Sequence, residues 1–336
     1  MKFSVVLATC MEGLLYPVPF VDKDTFVKVA ILAEEKGYHS IWGNDHVSTQ
    51  KYVQEEHALP PKYFDPLVTL AALAPQTNKL RLGIAVVVIP LRNPVVLSKQ
   101  IATLDYLCSG RLEVAVGIGA YREEFEAMNP RATGAHRGEI LDEGIQSLLT
   151  LFGDRHSTFN GNFYNFNGVE TYPKPVQDPF PLYVGGNSKK NIFRVAKWAR
   201  GWMPAVLSPT ELQQGVSILY EEADKLGRES VEFEIAPQYA VSLGKSKEEA
   251  ISRFEKSHLY RHLISLEKTT LKDQVGDLIT RNLVGTPDQV IEKIQDLDRA
   301  GMTHCAALLF PANSVGELLE QMEEFAELVI QEYVGP

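Results

Sequence analysis

Apolar positions along the chain switch repeatedly between a period of two and a period near 3.6. FSVVLA (3–8) is a β-branched run, and DTFVKVAILAEEKG (24–37) spaces its apolar residues along one helical face, with an Asp near its start and Gly37 at its end. HSIW (39–42) predicts the next strand and DPLVTLAALAPQT (65–77) the next helix. RLGIAVVVIP (81–90), NPVVLSKQIATLDYLCSG (93–110) and RLEVAVGIG (111–119) continue as strand, helix and strand. The rhythm resumes with PLYVGG (181–186), a helix over 188–199, GWMPAV (201–206) and a helix over 209–226. FEIAPQYAVSL (233–243), a helical stretch, HCAALLF (304–310) and a last helix over 314–333 complete it. Continuously apolar strands predict burial on both faces, and hence a parallel sheet. Such a repeat makes a doubly wound sheet or a closed barrel, and the count of eight strands predicts an α/β fold of the (β/α)8 TIM-barrel type, with 1–336 as one domain.

Two segments interrupt the pattern. Residues 155–180 are rich in Asn, Gly, Pro and aromatics, and predict a hairpin and loop inserted before the fifth strand. Residues 256–282 are charged and helical without a strong apolar stripe. Long excursions on a barrel commonly serve as contacts or covers for the site.

Composition narrows the partners. The chain of 336 residues is 45% hydrophobic and 23% charged, enough apolar material for a large core. The formal charge of −10, with no long run of Lys or Arg, argues against nucleic acid. The apolar run at the N-terminus is too short for a signal peptide or a membrane span, which predicts a cytoplasmic protein. Cys10, Cys108 and Cys305 are far apart and follow no CxxC spacing, so neither a disulfide framework nor a zinc site is expected. Cys10 stands out because it follows the first strand.

A barrel carries its chemistry at the C-terminal ends of its strands. There the chain places Gly185, Gly186, Asn187, Ser188, Lys189 and Lys190. The glycines let backbone approach a ligand, Ser188 can cap the next helix, and free N–H groups at that helix start attract an anion such as phosphate. Lysines in a first turn oppose the helix dipole by about 0.3–1 kcal/mol each, a mismatch a bound phosphate removes. The bland alternative is a tight strand-to-helix turn with solvated lysines. Gly117 and Gly119 repeat the device, and close packing explains them equally well. In IWGNDHVSTQ (41–50), His46 has the chemistry of a general base or proton donor near neutral pH, and Asp45 can orient it. A lone histidine at a strand end is also a common packing residue. No H-x-H follows any strand, so no metal is expected.

IW followed by NDH, the block IPLRNPVVLSKQIATLDYLCSGRLEVAVGIGAYREEF (89–125), FNGNFYNFNGV with PKPVQDPFPLYVGGNS (159–188), GWMPA, and VGTPDQVIEKIQDLDRAGMTH (284–304) resemble the bacterial luciferase-like flavin-dependent oxidoreductases nearly end to end. The resemblance implies a luciferase-like TIM barrel with insertions, a homodimer, that binds FMN or the deazaflavin coenzyme F-420 across the C-terminal mouth. It places His46 on the active-site histidine and Asp45 on the acidic residue before it. Asn187, Ser188 and Asn191 fall on the phosphate-binding turn, and Gly119 and Tyr121 beside the flavin. Trp202 and Met203 fall near the ring, and Ala85–Val86 falls where the family often has a non-proline cis peptide. Two departures stand out. Gly117–Ile118 replaces the Cys-Arg pair of bacterial luciferase, and Ala120 stands where some deazaflavin-dependent dehydrogenases carry a catalytic Glu. The resemblance therefore implies a two-component FMN monooxygenase acting with O2 on a small organic substrate, its reduced flavin supplied by a separate reductase. A deazaflavin-dependent hydride transferase is the alternative, and a non-catalytic flavin-binding protein the third reading.

Overall fold

The computed structural model describes residues 1–266, 271 and 276–334. The continuously apolar runs form the barrel strands β1 Lys2–Leu7, β2 Ser40–Gly43, β3 Arg81–Val88, β4 Leu112–Gly117, β5 Leu182–Gly185, β6 Gly201–Met203, β7 Gln238–Leu243 and β8 His304–Leu309. Each pairs in parallel with the next up to β6, and β1 pairs with β8, which pairs with β7. Closure between β6 and β7 runs through the short strand Glu234–Ile235, which pairs with β6, and a bridge from Ala205 to Gln238. The result is a closed TIM barrel, as the strand count predicts.

Helices between the strands begin where the sequence supplies caps. Asp22 and Thr25, Ser208 and Glu211, and Thr286 and Gln289 form capping boxes, while Asn93 caps a helix opened by Pro94. Each such cap is worth about 1 kcal/mol and fixes where the chain leaves the strand loop. The helix Arg137–Gly153 is not anticipated by the sequence reading, although its buried Ile140, Leu141, Ile145 and Leu148 recur at helical spacing. The turn-rich stretch before it conceals its start. The predicted hairpin is present as Ser157–Asn160 paired antiparallel with Asn165–Val169. Within the predicted excursion over 256–282 lie the helices His258–Leu266 and Leu278–Arg281, while 267–270 and 272–275 fall outside the described residues.

Two apolar layers hold the fold. The larger lies between strands and helices, and the smaller fills the barrel with Trp42, Ala115, Tyr183, Met203, Ala236, Ala306 and Ala307, joined by Ala85 and Val86. Large rings facing small residues across the barrel give interdigitated packing. The N-terminal rim of the barrel is closed by a polar network. His304 bonds Ser4 Oγ through Nε2 at 2.5 Å and Glu234 Oε1 through Nδ1 at 2.6 Å, and Lys2 Nζ donates to Glu234 Oε2 at 2.6 Å. Burial raises the pKa of Glu234, but His304 and then Lys2 outweigh it and bring the carboxyl down to about 2. Polar side chains at this end are thus spent on stability, leaving the opposite end for chemistry.

Candidate active site

At the C-terminal end of β2 the polar residues of the NDH stretch point three ways. Asn44 is a clamp: its Oδ1 accepts from the Cys10 N–H at 3.0 Å and its Nδ2 donates to the Cys10 carbonyl at 2.9 Å. This ties the exit of β2 to the exit of β1. The Cys10 thiol donates to the Phe64 carbonyl at 3.2 Å, and burial pushes its pKa up to about 12, so it is a protonated structural group. Asp45 turns into the protein. It accepts from Arg92 Nε at 2.9 Å, from Arg92 Nη2 at 2.6 Å and from the Val88 N–H at 3.0 Å.

His46 instead meets Glu124, in the helix Arg122–Met128 that follows β4. Its Nδ1 lies 3.0 Å from Oε2 of Glu124, whose Oε1 accepts from the N–H groups of Val47 at 2.6 Å and Ser48 at 3.1 Å. Burial raises the pKa of Glu124, but the bond to His46 and these N–H groups prevail, and it lies below the ordinary carboxylate value. An ionised Glu124 can only accept, so it fixes the proton of neutral His46 on Nδ1. Nε2 then carries the lone pair and makes no hydrogen bond among the described residues, the arrangement of a general base. Gln50 Nε2 also approaches Nδ1, at 3.3 Å, but the charged acceptor is the stronger and nearer partner. The rings of Tyr121 and Tyr63 stand 5.8 and 6.0 Å from the imidazole, and the Tyr52 and Tyr121 hydroxyls lie 3.3 Å apart.

A second set of groups gathers at the end of β5. Ser188 caps the helix Lys189–Trp198, accepting from the Asn191 N–H. Asn191 is 8% exposed, and its Oδ1 accepts from Arg194 Nη1 at 2.7 Å. A guanidinium cannot accept, so this bond determines which way the amide points and leaves Nδ2 as a donor on the Gly186 side. A Cβ on Gly186 would come within 2.6 Å of that nitrogen. Arg194 also pairs with Asp142 Oδ1 at 2.6 Å and donates to the Gly138 carbonyl at 3.0 Å. It thereby draws the N-terminus of the helix Arg137–Gly153 alongside that of Lys189–Trp198. Arg137 itself donates to the carbonyls of Gly119 at 2.9 Å and Ile118 at 3.3 Å and has no carboxylate partner among the described residues. A directed amide and a capped helix start thus follow β5, while Arg137 is bound to the chain that leaves β4.

Between the two sets lies a smooth wall. The Ala85–Val86 peptide is cis, as the resemblance implies, and the Val86 side chain lies across two glycines. A Cβ would come within 2.8 Å of Val86 at Gly117 and within 2.5 Å at Gly185; at Gly119 it would come within 2.8 Å of Val88. These glycines are required by packing, whatever binds above them.

The luciferase-like monooxygenase profile matches residues 1–304. The chain belongs to that family. The oxygenase component of a flavin-dependent trigonelline monooxygenase from Acinetobacter baylyi is 31% identical over 159 residues, covering 47% of this chain and 41% of that one. A coenzyme F-420-dependent glucose-6-phosphate dehydrogenase from Kineococcus radiotolerans is 33% identical over 162 residues, covering 46% and 44%. A monooxygenase from Streptomyces bottropensis superposes with a TM-score of 0.77 at 23% identity, covering 99% of this chain and 100% of that one, which shows a shared fold. The protein is therefore a luciferase-like oxidoreductase.

Against this luciferase-like frame, two expectations need correction. Asp45 does not orient His46, because a buried carboxylate takes the nearest cation and Arg92 reaches it with two donors. Trp202 does not face the barrel interior. Alternation along β6 sends Met203 inward with Val86 and sends Trp202 outward against Gly215 of the helix Pro209–Lys225, where its Nε1 donates to the Gly186 carbonyl at 3.0 Å. Asn187 is also occupied, since its amide exchanges bonds of 2.9 and 2.8 Å with the Ala205 backbone. Sequence reasoning missed Glu124 and Arg137. The first looks like an ordinary acidic residue in a helix's first turn, and the second sits at the start of a helix the reading passed over.

Proposed function

We propose that the chain is the oxygenase of a two-component FMN monooxygenase, taking reduced flavin from a separate reductase and acting with O2 on a small organic substrate. What supports this reading is that His46 with Glu124 follows β2, Ser188 and Asn191 follow β5 and Arg137 bonds the chain after β4, all at C-terminal strand ends, with Val86 lying across Gly117 and Gly185. In this reading Ser188, Asn191 and Arg137 cradle a phosphate and the wall takes a planar ring. Reduced flavin, when bound, supplies the electrons that activate O2. His46 accepts a proton at Nε2 and returns it, while Glu124 holds the Nδ1 proton and stabilises the imidazolium. Tyr121 and Tyr63, whose pKa values burial raises, stay protonated and help keep water from the ring. The chain has no dinucleotide fingerprint of its own, which supports a borrowed reduced flavin.

A deazaflavin-dependent hydride transferase is the second reading. Lys189 and Lys190 are exposed beside the cradle and make no ion pair among the described residues, which suits the longer acidic tail of coenzyme F-420. The homodimer that the resemblance implies has a suitable face, since Val96, Tyr106 and Leu107 are 57, 64 and 59% exposed on one helix. Anaerobic titration with reduced FMN, followed by tryptophan fluorescence, tests the leading reading. It predicts saturable binding in the micromolar range. Binding of reduced F-420 alone would move the assignment to the second reading, and binding of neither would refute both.

A further inference from the structure

Gln50 is the N-cap of the helix Lys51–Glu56, yet its side chain makes no capping bond and the residue is only 1% exposed. The amide lies instead between His46 and Tyr63, one end 3.3 Å from His46 Nδ1 and the other 2.9 Å from the Tyr63 hydroxyl. The Tyr63 ring stands 6.0 Å from the imidazole, so the three side chains make one run of contacts. A carboxamide has two orientations of nearly the same shape, related by half a turn about Cγ–Cδ, and hydrogen bonding chooses between them.

With its nitrogen toward His46, the amide sets a donor against a donor. Ionised Glu124 accepts from Nδ1 at 3.0 Å and keeps the ring proton there, while the NH2 points a second proton at the same atom. A bond left unmade in so buried a place costs about 1–3 kcal/mol. With its oxygen toward His46, Gln50 shares the Nδ1 proton with Glu124, and its NH2 donates to the Tyr63 oxygen. All three side chains are then paired, and the Tyr63 hydroxyl must direct its own proton elsewhere. Burial raises the Tyr63 pKa, so that proton stays on the phenol and is offered as a hydrogen bond. The amide follows the ring proton: were Nδ1 made an acceptor, the half turn would reverse and the NH2 would face it.

We propose that Gln50 is a positioning residue whose oxygen shares the His46 Nδ1 proton and whose NH2 holds the Tyr63 oxygen, which frees the Tyr63 hydroxyl to donate to a substrate carbonyl. The inference rests on the reading of His46 as the base of the site. A phenol oxygen that already accepts one hydrogen bond is a better donor through its own proton, and a carbonyl oxygen offers acceptance alone.

The test uses the full chain, with any cofactor that co-purifies. In protein carrying ¹⁵N-labelled glutamine, the Gln50 NH2 is expected to cross-relax with the Tyr63 ring protons beside the hydroxyl; cross-relaxation with the His46 proton between the ring nitrogens would overturn the inference. Two probes, acetophenone and α-methylstyrene, differ only in an oxygen replaced by a methylene. Wild type is expected to bind acetophenone about fivefold more tightly, the size of one neutral hydrogen bond, and Tyr63→Phe to erase that preference with the circular dichroism spectrum unchanged. Gln50→Met separates the two orientations. It leaves the preference at or below the wild-type value if the NH2 donates to Tyr63, and raises it if the hydroxyl had been spent on Gln50. A rise in Gln50→Met, or no preference in the wild type, would overturn the inference. Loss of all flavin binding with the amide orientation and the preference intact would overturn the proposed function and leave the role of Gln50 standing.

Discussion

Replacing Glu124 by Gln changes one atom and reverses the sense of the His46 hydrogen bond. In the native chain both Glu124 oxygens accept: Oε2 from His46 Nδ1 at 3.0 Å, Oε1 from the Val47 and Ser48 N–H groups at 2.6 and 3.1 Å. A glutamine has one oxygen. If it stays with the two backbone donors, its NH2 faces Nδ1, which must then accept, and the imidazole proton moves to Nε2. His46 becomes a donor toward the mouth where it had been a base. Losing a charge-assisted bond in this 4%-exposed site costs about 1.5–3 kcal/mol of stability, and a wrong tautomer in a general base costs about 10²–10⁴-fold in turnover. The tautomer can be read without knowing the substrate, from long-range ¹H–¹⁵N correlation of the histidine ring above pH 7. The wild type is expected to show Nδ1–H for His46 and Glu124→Gln to show Nε2–H, with a matching fall in urea midpoint. Identical tautomers in the two proteins would refute the assignment of Glu124 as the residue that orients His46.

Three further outcomes follow from the same contacts. Asp45→Asn leaves Arg92 buried with only Asp65 as a charged partner, and should cost about 3 kcal/mol in urea unfolding while leaving the His46 tautomer unchanged; a changed tautomer would restore Asp45 to the site. Gly185→Ala would press a methyl within 2.5 Å of Val86, so it should cost about 1–3 kcal/mol and weaken FMN; unchanged stability and affinity would remove Val86 from the wall. Glu234 has a folded pKa of about 2 against an ordinary 4.5, so it binds fewer protons folded than unfolded. Its contribution, up to about 3 kcal/mol, is complete above pH 4.5 and fades as the pH falls toward 2. Glu234→Gln should therefore be less stable at pH 7, and the gap should narrow through that window; a pH-independent gap would contradict the network described.

The barrel was legible because its strands are buried on both faces, and that leaves an uninterrupted apolar run that no surface strand shows. His46 and Ser188 drew attention because a barrel directs it to a few positions after each strand, and Asn191 entered only through the family resemblance. What did not show was direction. Asn44, Asp45 and His46 are consecutive, yet one clamps backbone, one meets Arg92 and one meets Glu124, from segments about 50 and 80 residues downstream in the chain, contacts that only the closed barrel creates. Trp202 and Met203 failed to separate for a related reason. Both are apolar on a strand buried on both faces, so composition could not say which faced the barrel and which the helix. Arg137 was hidden by its place after a turn-rich stretch, and its bonds to the Ile118 and Gly119 carbonyls exist only in three dimensions.

The central claim is that the mouth binds a flavin by its phosphate at the cradle. Calorimetric titration with FMN and with riboflavin, identical but for that phosphate, tests it most directly. Wild type is expected to bind FMN at least about tenfold more tightly, the size of one or two charge-assisted hydrogen bonds. Asn191→Asp, which sets a carboxylate where Nδ2 stands, should erase the difference while leaving riboflavin affinity as it was. Equal affinity for FMN and riboflavin in the wild type would contradict the account.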